Sequence, residues 1–277
     1  MDKMYPQEEM KLFKAIDSFF DMPGYRVIDV PIWTQSSENS PVRKRTGETE
    51  AKCFDGPFLL KKLAELELTV CGGTVNSIFS GQKINDLDFY CKNINKLQEA
   101  QDFLYMFFPT WLGCSENAAT MQRTDHTGKK FTIQLIRAFH GPIETIFSSF
   151  DFTITQGGYD FERGRFILGD RFLPDIARRK LIYLGGSRYP ICAMYRTKKY
   201  QKRGYDVPGA TIMHIALCIV QLQLNNYADL KKQLMGIDTL YLQDLFEKRD
   251  LSTPIDYGEF INRAFEAIDG VAYQAED

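Results

Sequence analysis

The 277-residue sequence lacks long apolar runs and has only three histidines, and each shortage argues against a class of protein. No stretch of about eighteen consecutive apolar residues occurs, so we expect no transmembrane helix and no membrane partner. The amino terminus, MDKMYPQEEM, carries charge rather than an apolar core, which predicts that no signal peptide is present. The histidines have no metal-ligand spacing, so a histidine-based metal centre is not expected.

The cysteines and the glycines also lack the spacings of several common sites. Six cysteines are scattered without a Cys-x-x-Cys pair, a pattern typical of reduced thiols buried as small hydrophobic side chains. We therefore predict a cytoplasmic location. The segment 47–52 lacks the second glycine and the Lys-Ser/Thr ending of a Walker phosphate loop.

The composition that is present indicates a globular protein with an uneven distribution of charge. Hydrophobic residues make up 44% of the chain and aromatic residues 13%, which is enough for a well-packed core. The formal net charge is only −2, yet residues 175–203 contain nine Lys or Arg and one acidic residue. Residues 206–277 then contain twelve acidic residues and five Lys or Arg. This contrast predicts one surface that meets phosphate groups.

A glycine pair begins the most informative segment, CGGTVNSIFSGQKINDLDFY at 71–90. An apolar strand is predicted before Gly72-Gly73, where the absence of side chains lets backbone N–H groups approach a phosphate. Thr74 adds a hydroxyl group, and residues 75–79 are predicted to form a short helix whose amino terminus favours an anion. We therefore predict a phosphate-binding turn here.

Two aspartates, Asp86 and Asp88, follow in a second predicted strand at 84–90. Residues i and i+2 of a strand share a face, so both carboxylates point the same way while Leu87 and Phe89 face the core. Mg²⁺ is usually held by one or two carboxylates together with substrate phosphates. The predicted phosphate-binding turn and the pair of carboxylates together predict a site of phosphoryl transfer.

The remaining pattern predicts an α+β fold, a mixed sheet with flanking helices and a carboxyl-terminal helical region. We predict three parts: 1–54, with a helix, a strand and a flexible loop at 34–51; a catalytic domain at 55–170, with a strand at 151–156; and a basic segment with a helical, neck-like domain at 171–277. Helices are predicted at 211–222, 227–235, 240–247 and 257–267, and the apolar stripe at 213–222 is interpreted as core.

Residues 60–210 resemble the nucleotidyltransferase superfamily, specifically the head domain of class II tRNA nucleotidyltransferases (CCA-adding enzymes) and bacterial poly(A) polymerases. The family's first motif is Gly-Gly-x-Val-Arg-Asp, a short helix ending in Gly, and Asp-x-Asp, and it is matched without a gap at Gly72, Gly73, Val75, Gly81, Asp86 and Asp88. FDFTITQGGYD, at 150–160, is similar to a second family segment through Asp151, Phe152, Thr153, Ile154 and Tyr159. YRTKKYQKRGYDV, at 195–207, resembles the family's arginine-rich helix through Arg196, Lys199 and Tyr200.

The resemblance implies a template-independent transferase that moves a nucleoside monophosphate from an NTP, ATP or CTP, to an acceptor hydroxyl, with an RNA 3′ end and tRNA processing as the family's precedent. It implies catalytic Asp86 and Asp88, which would hold one or two Mg²⁺ (or Mn²⁺). It also implies contacts to the nucleotide from Gly72, Gly73, Thr74, Asp151, Arg196 and Lys199.

Departures from the family pattern keep other functions open. Asn76-Ser77 replaces the family's Arg-Asp, Phe150 replaces a basic residue, and Gln134 is the only polar candidate where a third carboxylate often lies. The segment of about 75 residues after the basic helix is acidic overall, which leaves little to grip a tRNA. The alternatives are a nucleotidyltransferase that modifies a protein or a small molecule, and a nucleotide-binding or RNA-binding module without turnover.

Overall fold

The computed structural model describes residues 4–21, 25–35, 43–234, 246 and 250–264. For residues 25–35, 43–55 and 262–264 it describes the backbone alone. The helix predicted at 240–247 lies outside the described residues except for Phe246.

Along the described residues, helices and strands are mixed up to residue 168, and helices follow. The helices are α1 Pro6–Phe20, α2 Gly56–Glu65, α3 Gly73–Ser80, α4 Leu97–Phe107, α5 Ile143–Phe147, α6 Phe172–Ala177, α7 Pro190–Lys202, α8 Gly209–Val220, α9 Tyr227–Leu234 and α10 Tyr257–Ala264. The strands are β1 Tyr25–Gln35, β2 Arg43–Asp55, β3 Leu68–Cys71, β4 Asp86–Cys91, β5 Thr110–Cys114, β6 Ala118–Thr124, β7 Lys130–Ile136, β8 Gly157–Asp160 and β9 Arg165–Leu168.

Seven strands form one mixed sheet in the order β5-β6-β7-β4-β3-β8-β9. The pairing of β4 with β7 is parallel, and the other neighbours are antiparallel. Buried and half-exposed residues alternate along β6 and β7, as expected where one face of a sheet packs on a core. The predicted α+β fold with a mixed sheet and flanking helices is confirmed.

One edge of this sheet is β5, which the sequence analysis did not predict. All five of its residues are exposed, and its register against β6 shifts between Trp111 and Gly113. The Trp111 ring stacks on Tyr105 with the ring centroids 5.3 Å apart. Buried and exposed residues do not alternate along β5. A strand is recognised in a sequence by that alternation, so β5 gave no signal.

The main core lies on one face of the sheet, where α1 contributes Leu12, Ile16 and Phe20. Leu87 and Phe89 of β4 are fully buried in this core, so the strand face opposite to them carries Asp86 and Asp88. The hydrophobic alternation therefore fixes which way the two carboxylates point.

Arg123 of β6 joins the end of α1 to the sheet. Its guanidinium donates hydrogen bonds to the backbone carbonyls of Phe19 and, at 2.6 Å, Ser18. It also lies 4.2 Å from the centroid of the Phe131 ring. The last carbonyls of a helix lack intrahelical partners and attract a cation, so this buried arginine closes α1.

Replacing Arg123 by methionine is expected to lower the free energy of unfolding by about 3 kcal/mol, because charged hydrogen bonds to buried carbonyls are lost together. Urea denaturation measures the change. Arg165→Met on β9 is the matched control, because Arg165 is exposed. An equal loss in both variants would contradict the role given to Arg123.

The chain divides into two compact units. The first comprises Met1–Ser148 and Ile154–Ile176, and the second comprises Ser149–Thr153 and Ala177–Asp277. The first unit contains the seven-stranded sheet, and the second contains α7 to α10. The division predicted at residues 54 and 170 stays a prediction.

The flexible loop predicted at 34–51 is wrong over residues 34–35, which belong to β1, and over residues 43–51. Residues 43–51 lie in β2, which pairs antiparallel with β1 over most of its length. The first eight residues of β2, RKRTGETE, include no apolar side chain, so they lack the apolar alternation that indicates a strand. Backbone pairing with β1 determines its structure instead.

The strand predicted at 151–156 is also wrong. Thr153–Thr155 form a 3₁₀ turn, and the strand begins later, at Gly157. The Thr153 N–H donates to the Ile182 carbonyl at 3.0 Å, which draws this segment away from the sheet. The β-branched residues here are buried without belonging to the sheet.

The interpretation of 213–222 as core is wrong as well. In α8 only Thr211 and Ile215 are buried, whereas the apolar side chains around them are exposed, by 63% for Met213, 57% for Leu217 and 80% for Val220. A helix that is apolar on every side gives no periodicity from which its buried face can be chosen.

Candidate functional site

Asp86 and Asp88 lie on one face of β4, as predicted, and both side chains are half-buried. Their neighbours in the register are on β7, where Thr132 lies opposite Asp86 and Gln134 lies opposite Asp88. The carboxylates are thus presented on the sheet face that is turned away from the main core. Gln134 occupies the neighbouring position at which a third carboxylate was considered.

The polar face continues beyond β7. Gln122 of β6 lies opposite Thr132, and its side-chain amide donates to the Thr132 hydroxyl at 3.1 Å. Hydroxyl and amide groups beside the aspartates provide oxygen atoms but no further negative charge. Among the residues that β4, β6 and β7 present on this face, the negative charge is therefore confined to the two aspartates.

The glycine pair forms the turn between β3 and α3. Gly72 has φ +76° and ψ −129°, a backbone conformation that glycine adopts readily and other residues avoid. Its N–H donates to the Gly157 carbonyl at 2.9 Å, so this N–H already has an acceptor. Helix α3 begins at Gly73, and the first N–H groups of a helix have no intrahelical carbonyl. Gly73 and Thr74 therefore supply the amides that are suited to an anion.

Thr74 connects this turn to the carboxylate strand. Its side chain is buried, and its hydroxyl donates to the backbone carbonyl of Asp86 at 3.1 Å. This bond places the amino terminus of α3 next to the start of β4. Asn76, also buried, donates from its amide to the Ile154 carbonyl at 3.0 Å and secures the same helix from the other side.

Alanine substitutions at Gly72 and Gly73 distinguish a glycine that the turn needs for its backbone conformation from a glycine that contacts a ligand. A Cβ at Gly73 would have no atom within 4 Å, so Gly73→Ala is expected to keep the free energy of unfolding within about 1 kcal/mol of wild type. Gly72→Ala is expected to lower it by about 2 kcal/mol, because its φ is positive. Urea denaturation of both variants, with nucleotide binding measured by calorimetry, tests this. Retained ATP and CTP affinity in a folded Gly73→Ala would argue against phosphate contact at Gly73.

Gly157 is a residue whose role the sequence analysis missed. Besides accepting from Gly72, it lies where a Cβ would be 2.6 Å from two atoms of the Phe172 ring and 2.9 Å from Val75 Cγ1. Phe172 and Val75 are both fully buried. The Gly-Gly pair at 157–158 was visible in the sequence, but the Phe172 ring, which requires glycine at 157, lies fifteen residues further along the chain.

Cys71 lies beneath the site, fully buried at the end of β3. Burial raises the pKa of the Cys71 thiol to about 12; its hydrogen bond to Thr69 opposes this shift, and the charges of Asp88 and Asp160 add to it. The antiparallel register, in which Val70 lies opposite Phe89, brings Asp88 to the level of Cys71.

The raised pKa of Cys71 makes stability depend on pH in the alkaline range. An unfolded thiol ionises near pH 9 and the folded one near pH 12, so stability is present below pH 9 and is lost as the pH rises towards 12. Between pH 8 and pH 10, Cys71 is expected to remove about 1.4 kcal/mol from the free energy of unfolding. Urea denaturation of wild type and Cys71→Ala at both pH values measures this, since the alanine variant lacks the contribution. Cys114→Ala, at an exposed cysteine, is the control, and parallel pH dependence in all three proteins would contradict the assignment.

The other predicted site residues belong to the second unit. Asp151 is buried and accepts a hydrogen bond from the Arg196 guanidinium of α7. Burial lowers the pKa of Arg196, the Asp151 charge raises it, and the net shift is upward. Lys199, one turn further along α7, is exposed. The structure thus joins Asp151 to Arg196 and leaves Lys199 facing solvent.

The donor set on β4 fits a hard divalent cation. Two carboxylates on one strand face match the protein ligands that Mg²⁺ usually takes, with phosphate oxygens and water completing the coordination. Among the described residues, no group of three or more His, Cys, Asp and Glu side chains is placed to hold a metal. The described helices also include none with the length and apolarity needed to span a bilayer.

Comparison with known proteins gives a match to one protein family and to one phage protein. The profile of the Gabija anti-defense 2 family matches residues 44–179. Gabija anti-defense 2 of Bacillus phage SPbetaL7 is 30% identical over 193 residues, which cover 69% of this chain and 47% of the phage protein. The chain therefore spans about half the length of the curated relative that it matches.

Comparison with solved structures gives matches to CCA-adding enzymes. The Thermotoga maritima CCA-adding enzyme complexed with tRNA aligns with a TM-score of 0.46 and 16% identity, over 78% of this chain and 51% of the enzyme. A CCA-adding enzyme in complex with ATP aligns with a TM-score of 0.44 and 15% identity, over 69% and 52% of the two chains. These are the enzymes whose head domain the sequence motifs resemble, and at such TM-scores the chemistry must be inferred from the residues of this chain.

Proposed function

We propose that this protein is a template-independent nucleotidyltransferase that moves a nucleoside monophosphate from ATP or CTP to an acceptor hydroxyl, with an RNA 3′ end as the first candidate. The observation that carries the proposal is the bond between the Thr74 hydroxyl and the Asp86 carbonyl. It joins a helix amino terminus suited to phosphate to a strand that presents two carboxylates on one face.

In this proposal each group has a defined task. Asp86 and Asp88 hold Mg²⁺ (or Mn²⁺), and the amides at Gly73 and Thr74 bind the triphosphate, while Gly72 supports their turn. When bound, the cation supplies a Lewis acid that favours ionisation of the acceptor hydroxyl and neutralises charge on pyrophosphate. The nucleotide contacts that the family resemblance implies for Asp151, Arg196 and Lys199 stay predictions, because these residues belong to the second unit.

The reaction exchanges a phosphoanhydride bond of the NTP for a phosphoester bond to the acceptor. The acceptor oxygen forms a bond to the α-phosphorus, the bond from that phosphorus to the bridging oxygen of the β-phosphate breaks, and pyrophosphate leaves. The hydroxyl proton passes to water. The residues of this chain contribute positioning and charge, the two effects that dominate phosphoryl transfer.

A protein acceptor is the second candidate, and the comparison with Gabija anti-defense 2 favours it. One way to counter a defence system is to modify one of its proteins. Side-chain hydroxyls of a protein can accept a nucleotide by the same chemistry as an RNA 3′ hydroxyl. Both candidates use the same carboxylates and the same glycine turn, so they differ only in the acceptor.

The test is incubation of the protein with each α-³²P-labelled NTP and Mg²⁺, with total RNA or with a bacterial protein extract. Label on RNA in a denaturing gel supports the first candidate, and label on a protein band supports the second. Nucleotide binding without pyrophosphate release under any condition would overturn both and leave a nucleotide-binding module.

A further inference from the structure

A cavity of about 530 Å³ lies in the first unit beside the start of β4. Its walls come from α1, from the connection between α3 and β4, and from the beginning of β7. Four lysines line it, and no aspartate or glutamate is among its described lining residues. The lysines are Lys11, Lys83, Lys129 and Lys130. We call this cavity the lysine pocket.

The lysines of the pocket are mostly directed at solvent rather than at carboxylates. All four are exposed. Lys11 Nζ is 3.9 Å from a Glu8 carboxylate oxygen, a loose surface pair, and Lys129 Nζ lies 4.4 Å from the centroid of the Phe131 ring. Four like charges around one concavity repel each other and raise the local potential, which an anion relieves.

The lysine pocket reaches the start of the aspartate strand from the core side of the sheet, since Phe19 of α1 and Phe131 of β7 line it and belong to the main core. Asn85 lines the pocket and directly precedes Asp86 in the chain. Lys130 lies on β7 two residues before Thr132, the residue opposite Asp86, so Lys130 and the aspartates share a face of the sheet. At the strand rise of about 3.3 Å per residue, Lys130 is only about 7 Å along β7 from the level of Asp86.

We propose that the lysine pocket binds the phosphate backbone of a single-stranded polynucleotide whose end is presented to Asp86 and Asp88. The identification of that end as the acceptor rests on the proposed function, whereas the binding itself does not. Four cations spread over three segments, around a volume much larger than one phosphate, fit a succession of phosphates. Lys11 lies on α1, outside the residues 60–210 that carry the family resemblance, so the pocket is not part of that resemblance.

The experiment measures binding of a fluorescein-labelled 15-nucleotide single-stranded RNA by anisotropy, without NTP or divalent cation, between 50 and 300 mM NaCl. In Lys83→Gln/Lys130→Gln two phosphate contacts are removed, so the slope of log K against log salt should become shallower by about 1.4. Each contact contributes about fivefold at 0.1 M salt, so affinity there should fall about 25-fold. Lys83→Arg/Lys130→Arg should restore it.

The matched control is Lys14→Gln/Lys61→Gln, which makes the same change in charge at exposed lysines outside the pocket. It should bind RNA within about twofold of wild type. An equal loss in the control, or no loss in the pocket variant, would overturn the proposal. Displacement of the RNA by poly-glutamate of equal charge as effectively as by unlabelled RNA would instead assign the pocket to an acidic protein. Equally effective displacement by ATP or pyrophosphate would assign it to free nucleotide phosphates.

Failure of this proposal is distinguishable from failure of the proposed function. Asp86→Asn/Asp88→Asn should bind the RNA at least as tightly as wild type, with the same salt dependence, while incorporating no nucleotide. Lysine-dependent RNA binding without incorporation by wild type would preserve the pocket and reject the transferase. Incorporation of nucleotide without lysine-dependent RNA binding would preserve the transferase and reject the lysine pocket as its RNA site.

Discussion

Asp86→Asn and Asp88→Asn are each expected to lower the rate of Mg²⁺-dependent nucleotide incorporation by at least about 10³-fold. The isosteric amide removes the negative charge that holds the cation, and charge stabilisation by a metal ion contributes several kcal/mol to such transition states. Incorporation of label from α-³²P-ATP or α-³²P-CTP, in the presence of the acceptor that wild type uses, measures the effect.

The fold should survive both substitutions, because both side chains are only half-buried and their strand is fixed by Leu87 and Phe89 in the core. Thermal unfolding is expected to shift by no more than a few degrees. Asp170→Asn, at an exposed position between β9 and α6, controls for the general effect of losing an aspartate. Full activity in either β4 variant would exclude this carboxylate pair as the metal site and would remove the basis for the transferase.

Gly157→Ala is expected to produce the largest loss of stability, about 3 kcal/mol or more in the free energy of unfolding. The new methyl group would meet the Phe172 ring at 2.6 Å and Val75 at 2.9 Å, and both neighbours are fully buried. Overpacking of this kind forces rotamer changes or backbone shifts. Because the Gly157 carbonyl also accepts the hydrogen bond from Gly72, those shifts reach the Gly72-Gly73 turn directly.

Urea denaturation of Gly157→Ala and of Gly113→Ala measures this effect against a matched control. Gly113 also lies in a strand, β5, but a Cβ there would have no atom within 4 Å. Gly157→Ala should in addition weaken nucleotide binding under conditions where the protein remains folded. Equal stability of the two variants would mean that Phe172 can move aside at low cost and that the turn is held by other contacts.

The carboxylate strand was predictable because its signal is local. Asp-Leu-Asp-Phe alternates with the period of a strand, and burial of Leu87 and Phe89 settles the direction of both aspartates. The turn before it was predictable for a similar reason, since paired glycines ahead of a short apolar helix restrict the backbone to few conformations. Whether these residues act in catalysis stays a prediction that the substitutions above would test.

The parts that could not be predicted depend on partners distant in sequence. Strand β2 forms by pairing with β1 and carries no apolar alternation of its own. The need for glycine at 157 arises from Phe172, and the lysine pocket gathers side chains from around residues 11, 83 and 130. The buried face of α8 was unpredictable for a different reason. Apolar residues occur on every side of this helix, so the sequence does not indicate which few of them are buried.

The register shift in β5 affects how the protein behaves when it is concentrated. A regular edge strand offers evenly spaced backbone groups on which a strand from another molecule can add, and this is a common start of aggregation. The irregularity between Trp111 and Gly113 breaks that spacing, and the Trp111 ring is held against Tyr105. Intermolecular growth of the seven-stranded sheet is thereby discouraged at this edge, although the strand itself is exposed and carries two large apolar side chains.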